Sequence, residues 1–157
     1  MLNLKALSVR QPWAWALIHA GKDCENRSAF ALQHMNFRGV HRLAIHAAKG
    51  MTRCEYEDAF DFMRDTFDFV PPAPRDLIRG AIIGSVAFLD IVHKSPSRWF
   101  FGPRAIRVHD AQACEPIPCV GALGLFAWKP SGELVAPAKW MLPINAEREQ
   151  AQDFGLI

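Results

Sequence analysis

Residues Leu7 to Arg27 read LSVRQPWAWALIHAGKDCENR, and the order of elements in this stretch decides the fold. Residues 4–9 alternate in the manner of a strand. A short helix over residues 12–20 follows, opening at Gln11-Pro12, where proline's set φ and missing N–H suit a first turn. Gly21 closes it, because glycine tolerates the left-handed conformation in which helices often end. Lys22, Asp23, Glu25, Asn26 and Arg27 come directly after that stop. Residues 23–27 then begin a second strand. A fold needs only polarity at such a turn, so a lysine, a glutamate and an arginine at this spacing point to a site.

Outward from this unit, Val40–Ala47 reads as a strand after a loop over Gln33–Gly39. Period-two counting puts Leu43 and Ile45 on one face and Arg42, Ala44 and His46 on the other. Thr52-x-x-Glu55 is a capping box that starts a second helix. Ala59, Phe60, Met63 and Phe67 recur at helical spacing and form its buried face. Glu55, Glu57, Asp58, Asp61 and Asp65 make the remainder acidic, a face that repels phosphate. Val70-Pro71-Pro72-Ala73-Pro74 stops that helix, and Asp76–Arg79 adds a short turn.

Ala81–His93 is the longest strand candidate, and Ser95–Gly102 is a loop. Ala105–Val108 and Val120–Trp128 read as further strands, with Glu115–Pro118 connecting them and Pro130–Glu133 turning. The tail from Asn145 to Phe154 reads as a polar helix capped by Asn145. Strands interleaved with two or three helices suit an α+β, mixed β-barrel architecture.

The chain has 157 residues, half of them hydrophobic. This is read as a single domain over residues 1–157, which hides ~70% of its unfolded surface. The formal net charge of +2 permits a nucleic-acid partner without demanding one. No apolar run reaches the ~20 residues of a membrane span, and the N-terminus lacks a signal-peptide pattern. The four cysteines are scattered, which suits free thiols and a cytoplasmic location. No metal or cofactor is expected: Asp90, His93, His109 and Asp110 share no ligand spacing, and no phosphate-binding loop is present.

Several residue types carry chemistry. Lys22 at a helix exit binds phosphate as a point charge, serves as base or nucleophile if its pKa falls, or simply sits near helix carbonyls. Glu25 and Arg27 share one face of an extended segment. They form an ion pair, or Arg27 grips phosphate while Glu25 moves a proton. Asn26 faces away and reads as structural. Ser8, Arg10 and Gln11 precede a helix N-terminus, where backbone donors attract anions; the alternative is that Ser8 and Gln11 cap the helix. Trp13 and Trp15 stand about 200° apart around the helix. One therefore packs, and Trp13 is the better base-stacking platform. His46 is a general acid–base candidate or a hydrogen-bonded core histidine. Lys49 follows two alanines, which leaves room for a ligand. Trp99 and Arg98 lie in a loop of the kind that lines pockets, whereas Phe100 and Phe101 read as core.

Gly21-Lys22-x-x-Glu25-x-Arg27, preceded by Ser8-x-Arg10-Gln11-Pro12-Trp13-Ala14, resembles the ASCH domain family of PUA-like β-barrels. Leu43 to Lys49 resembles the family's Ile-His-Ala-x-Lys strand. Gly84–Val92, Trp99–Gly102 and Gly121–Trp128 resemble its later strands. The resemblance implies a PUA-like barrel and an RNA, nucleotide or nucleoside partner. The ligand would sit in a cleft between the first helix and the barrel. Arg10, Lys22, Arg27 and Lys49 would meet phosphate or base edges, and Trp13 or Trp99 would stack. It also implies an alternative, a small hydrolase acting on acylated cytidine nucleosides or on RNA. In the family's deacylases the motif lysine pairs with a threonine three residues on and with a distant glutamate. Lys22 matches the lysine, and Glu25 stands where the threonine is expected. Lys22 and Glu25, with Lys49, would then be catalytic. An interaction domain with no small-molecule site is the third reading.

Overall fold

The computed structural model describes residues 1–143; the helix expected over Asn145–Phe154 lies outside them. The elements run β1 (Ala6–Val9), α1 (Trp13–His19), β2 (Cys24–Arg27), α2 (Ala29–Gln33), β3 (Arg42–Ala47), α3 (Arg53–Phe67), β4 (Ala81–Val92), β5 (Arg104–Pro118) and β6 (Leu125–Phe126). Short 3₁₀ turns cover Pro74–Asp76 and Lys139–Met141. The fold is α+β: one six-stranded sheet in the order β2-β5-β4-β3-β1-β6. β1 pairs with β3 in parallel, and the remaining pairs are antiparallel.

The sheet curls into a half-barrel. β1 and β2 are four positions apart in it, roughly 19 Å if the sheet were flat. Yet Arg27 on β2 donates from Nη2 to the Ser8 carbonyl on β1 at 2.8 Å. Strand twist accumulated over β5, β4 and β3 brings the two together.

Alternation divides the side chains of β1 and β3 between two environments. Leu7, Val9, Leu43, Ile45 and Ala47 join Ala14, Leu17 and Ile18 of α1 in the main core. On the opposite face, Ala6 and Ala44 pack with Ile82, Cys119 and Trp128. Trp128 Nε1 donates to the Leu4 carbonyl at 3.0 Å, which ties the late loops to the start of β1. A third cluster joins Ala16 and Cys24 to Met63 of α3 and to Trp99.

The local signals explain most boundaries. Gln11 is buried, accepts from the Trp15 N–H at 2.8 Å and donates to the Ile78 carbonyl at 2.8 Å, so it both caps α1 and anchors it. Gly21 has φ +70°, the left-handed stop that the helix exit requires. The Thr52–Glu55 capping box is present in both directions at the start of α3. That helix stops earlier than its prolines predict, at Asp68 in the left-handed region with φ 62°.

Two strand readings are corrected. β5 continues through Glu115–Pro118, read as a connection, because Ile117 and Pro118 pair with Ile82 and Ala81 on β4. Conversely, Val120–Trp128 yields only the two-residue β6, which pairs with Ala6 and Leu7. All four cysteines are free. Among the described residues no helix is long and apolar enough to cross a membrane.

Gly84 marks where α1 seats on the sheet. A Cβ there would lie 2.5 Å from the Gln112 carbonyl and 2.9 Å from Ile18 Cδ1. Overpacking of this kind costs about 3 kcal/mol. Gly84→Ala is therefore expected to lower the urea midpoint at unchanged m-value; an unaltered midpoint would refute the seating.

Candidate functional site

A cavity of about 380 Å³ opens on the face of β1 and β3 that turns away from α1. Ser8, His46, Lys49, Cys119, Gly121 and Glu133 are among the residues lining it. A second cavity, of about 260 Å³, lies between the first helix and the barrel, lined by Leu17, Gly21 and Lys22 with Val86 and Val108, whereas Ser8, His46 and Lys49 gather on the other side of these strands. The reason is the period-two alternation: Ser8 and His46 stand opposite the residues that bind α1.

The parallel register places Ser8 directly beside His46. His46 is 2% exposed. Its Nε2 lies 3.1 Å from the Cys119 carbonyl, which can only accept, so Nε2 carries the proton. Its Nδ1 lies 2.9 Å from Ser8 Oγ. Burial lowers the histidine's pKa, partly offset by the bond to Cys119. The ring is therefore neutral near pH 7, and the Ser8 hydroxyl donates to Nδ1. Gly121 makes room for this pair, since a Cβ at that position would fall 2.7 Å from His46 Cε1 and 3.4 Å from Ser8 Oγ.

Two loops form the rim. Lys49 and Glu133 are both exposed there, and neither forms an ion pair among the described residues. Arg79 holds these loops. Its buried guanidinium donates to the Lys49 carbonyl at 2.5 Å and to the Ala136 carbonyl at 2.9 Å.

Lys22, Glu25 and Arg27 lie outside the cavity of Ser8 and His46 but connect to it. Lys22 is 3% exposed. Its ammonium donates to the Cys24 carbonyl and to Glu25 Oε2, the latter at 3.1 Å, and stands 5.9 Å over the Trp13 ring. Glu25 Oε1 is 3.9 Å from Arg27 Nε, and Arg27 reaches the Ser8 carbonyl. Polar contacts therefore run from Lys22 through Glu25 and Arg27 to the main chain of Ser8. Asn26, read as structural, receives the Phe101 N–H and donates to the Trp99 carbonyl.

Arg10 lies against Gly50 and forms a two-pronged pair with Glu55 at 2.5 and 2.6 Å. Glu55 hydrogen bonding raises the Arg10 pKa, and the same bond holds the Glu55 carboxyl below its usual range. Arg10, read as an anion contact, thus has its half-exposed guanidinium paired with Glu55. Glu55 also leaves the acidic face of α3 to make this pair.

The aromatic expectations change as well. Trp99 is 5% exposed and stacks on Phe67 at 4.3 Å, so it packs rather than offering a base platform. Phe101, expected in the core, is 56% exposed. Trp13 is half-buried, with Phe62 and Phe101 rings at 5.9 and 6.0 Å. Asp90 and Asp110 are engaged by Arg107 and Arg42 respectively.

Gly121, Cys119, Glu133 and Arg79 were not singled out by sequence. Glu133 reads only as part of a turn, and no spacing links Gly121 or Cys119 to a histidine more than 70 positions earlier. No family model matches the chain, and no curated protein matches it.

Removing one member of a buried ion pair strands its partner, at a cost of about 3 kcal/mol. Lys22→Met is therefore expected to destabilise the protein by that amount in urea titrations, with Glu25→Gln recovering part of the loss in the double variant. Equal stability of Lys22→Met and wild type would remove the anchoring role.

The lowered pKa of His46 gives a pH signature. The unfolded chain binds a proton to this ring at higher pH than the folded one, so stability falls as pH drops below about 6.5. His46→Gln is expected to flatten the stability profile between pH 7 and 5, read from thermal midpoints; an unchanged slope would show that His46 is not its source.

Proposed function

We propose that this chain binds a nucleotide, or one unstacked base of a single-stranded RNA, in the cavity beside His46. The observation carrying this reading is the cavity's composition. Three residues singled out from the sequence, Ser8, His46 and Lys49, meet there. The volume of about 380 Å³ falls within the range of small-ligand sites, about 300–1,000 Å³. It suits a nucleoside and is far too small for a duplex. Ser8 and Glu133 offer polar groups for base or ribose edges, Cys119 and Val120 offer apolar contact, and Lys49 at the rim suits a phosphate. The resemblance of the Gly21–Arg27 motif to ASCH domains and the curled mixed sheet support the same reading.

A hydrolase built on Lys22 and Glu25 is the second reading, favoured by their 3.1 Å contact. Lys22 lines a different cavity, of about 260 Å³, from the one that holds Ser8 and His46; its burial and its commitment to the Cys24 carbonyl count against the reading.

Fluorescence anisotropy with a labelled RNA pentamer tests the binding proposal. Single strands are expected to bind at least tenfold more tightly than the matching duplex. Lys49→Ala is expected to weaken binding about five- to tenfold and to reduce the salt slope by ~0.7. Absence of binding by pentamer and free nucleotides alike at millimolar concentration would overturn it.

A further inference from the structure

We propose that Ser8 and His46 form a nucleophile–base pair that cleaves a small, uncharged carboxylic ester in the cavity. Nothing in this assignment uses the identity of a nucleic-acid ligand, so the binding proposal can fail while this one stands.

Three parts of an activated nucleophile are in place. Ser8 Oγ is 2.9 Å from His46 Nδ1, within the reach that proton transfer needs. The Cys119 carbonyl, 3.1 Å from Nε2, fixes the tautomer and turns the Nδ1 lone pair toward the hydroxyl. It would also stabilise the imidazolium formed when the ring takes a proton. The neutral state that burial imposes on His46 is the state a base requires at neutral pH.

The pair is held and reachable. Ser8 lies in β1 with its carbonyl bound by Arg27. Gly121 lies against the imidazole, and the Phe126 ring meets it edge-on at 6.0 Å between centroids. Both Ser8 and His46 nevertheless line the open cavity. A satisfied polar pair sealed inside a core offers no such approach.

The charge of the lining selects the substrate. Phosphoryl transfer relies on several cations or metal ions around the transferred group. Here Lys49 is balanced by Glu133, and His46 is neutral. A neutral acyl carbon fits this balance, with Lys49 the positive group of the lining for a developing oxyanion.

The reaction closes as follows. Ser8 Oγ forms a bond to the ester carbonyl carbon, and its proton passes to His46 Nδ1. The C–O bond to the alcohol breaks, and Nδ1 returns the proton to the departing oxygen. Water then attacks the acyl-serine, His46 takes and returns a second proton, and Ser8 is restored. The net change is ester plus water to acid plus alcohol.

The test uses p-nitrophenyl acetate with the full chain, following nitrophenolate release and mapping the acetyl group by peptide mass spectrometry. Wild type is expected to carry acetyl on the Ser8 peptide. Ser8→Ala removes that adduct, and His46→Gln lowers its rate at least 100-fold. Because burial lowers the His46 pKa, the wild-type rate is expected to rise with pH to an inflection below the ordinary imidazole value of about 6.5 and to stay level above it. Acetyl found only on lysines, or Ser8 acetylated equally fast in His46→Gln, would overturn the proposal and leave the pair a packing element. If His46→Gln proves unfolded by circular dichroism, the wild-type map and pH profile decide alone: no acetyl-Ser8, or a profile without an inflection in the imidazole range, overturns it.

Discussion

The hydrogen bond from Arg27 to the Ser8 carbonyl closes a sheet whose ends would otherwise lie far apart. Its availability follows from strand geometry. The Lys5 and Val9 carbonyls accept from Ala44 and Ala48 on the β3 side. Successive carbonyls alternate, so Ser8 presents its oxygen to the opposite edge, where the pairing with β6 has already ended at Leu7. An unpaired strand carbonyl needs a partner, and a guanidinium from β2 supplies it. That one contact joins the Lys22–Glu25–Arg27 turn to the cavity-bearing strand.

Much of the positive charge is spent in the same structural way. Arg10 is paired with Glu55, Arg42 with Asp110 and Arg107 with Asp90, while Arg79 is buried between backbone carbonyls. These commitments explain how a chain with a formal net charge of +2 leaves so little cation at its cavity. Lys49 is left to face the cavity, whose lining also includes Glu133. On the proposed binding reading, a lining of this balance would select by shape and hydrogen bonding more than by bulk electrostatic attraction.

Local signals were legible wherever one short stretch holds both the cause and the effect. The Gly21 stop, the Thr52–Glu55 cap and the alternation that separates Ile45 from His46 all rest on neighbours within a few residues. Strand extents were less legible, because β5 runs as far as β4 offers a partner, and β6 is cut to the two residues that β1 can pair. Aromatic roles in the 99–101 loop were reversed because Asn26 fixes both ends of that loop. Its grip leaves Trp99 inward against Phe67 and Phe101 outward.

Sequence by itself determined the unit from Leu7 to Arg27, the face on which His46 stands, and a candidate set in which Ser8, His46 and Lys49 stand beside Arg10, Gln11, Trp13, Lys22, Glu25, Arg27 and Trp99. Tertiary structure alone decided that Ser8 meets His46, that Lys22 is buried away from the cavity, and that Gly121, Cys119 and Glu133 complete its wall. The physical reason is range. Helix stops, caps and strand faces are set by sterics and hydrogen bonds between near neighbours. A cavity is assembled from segments far apart in the chain, and their meeting is set by strand register and by how far the sheet curls.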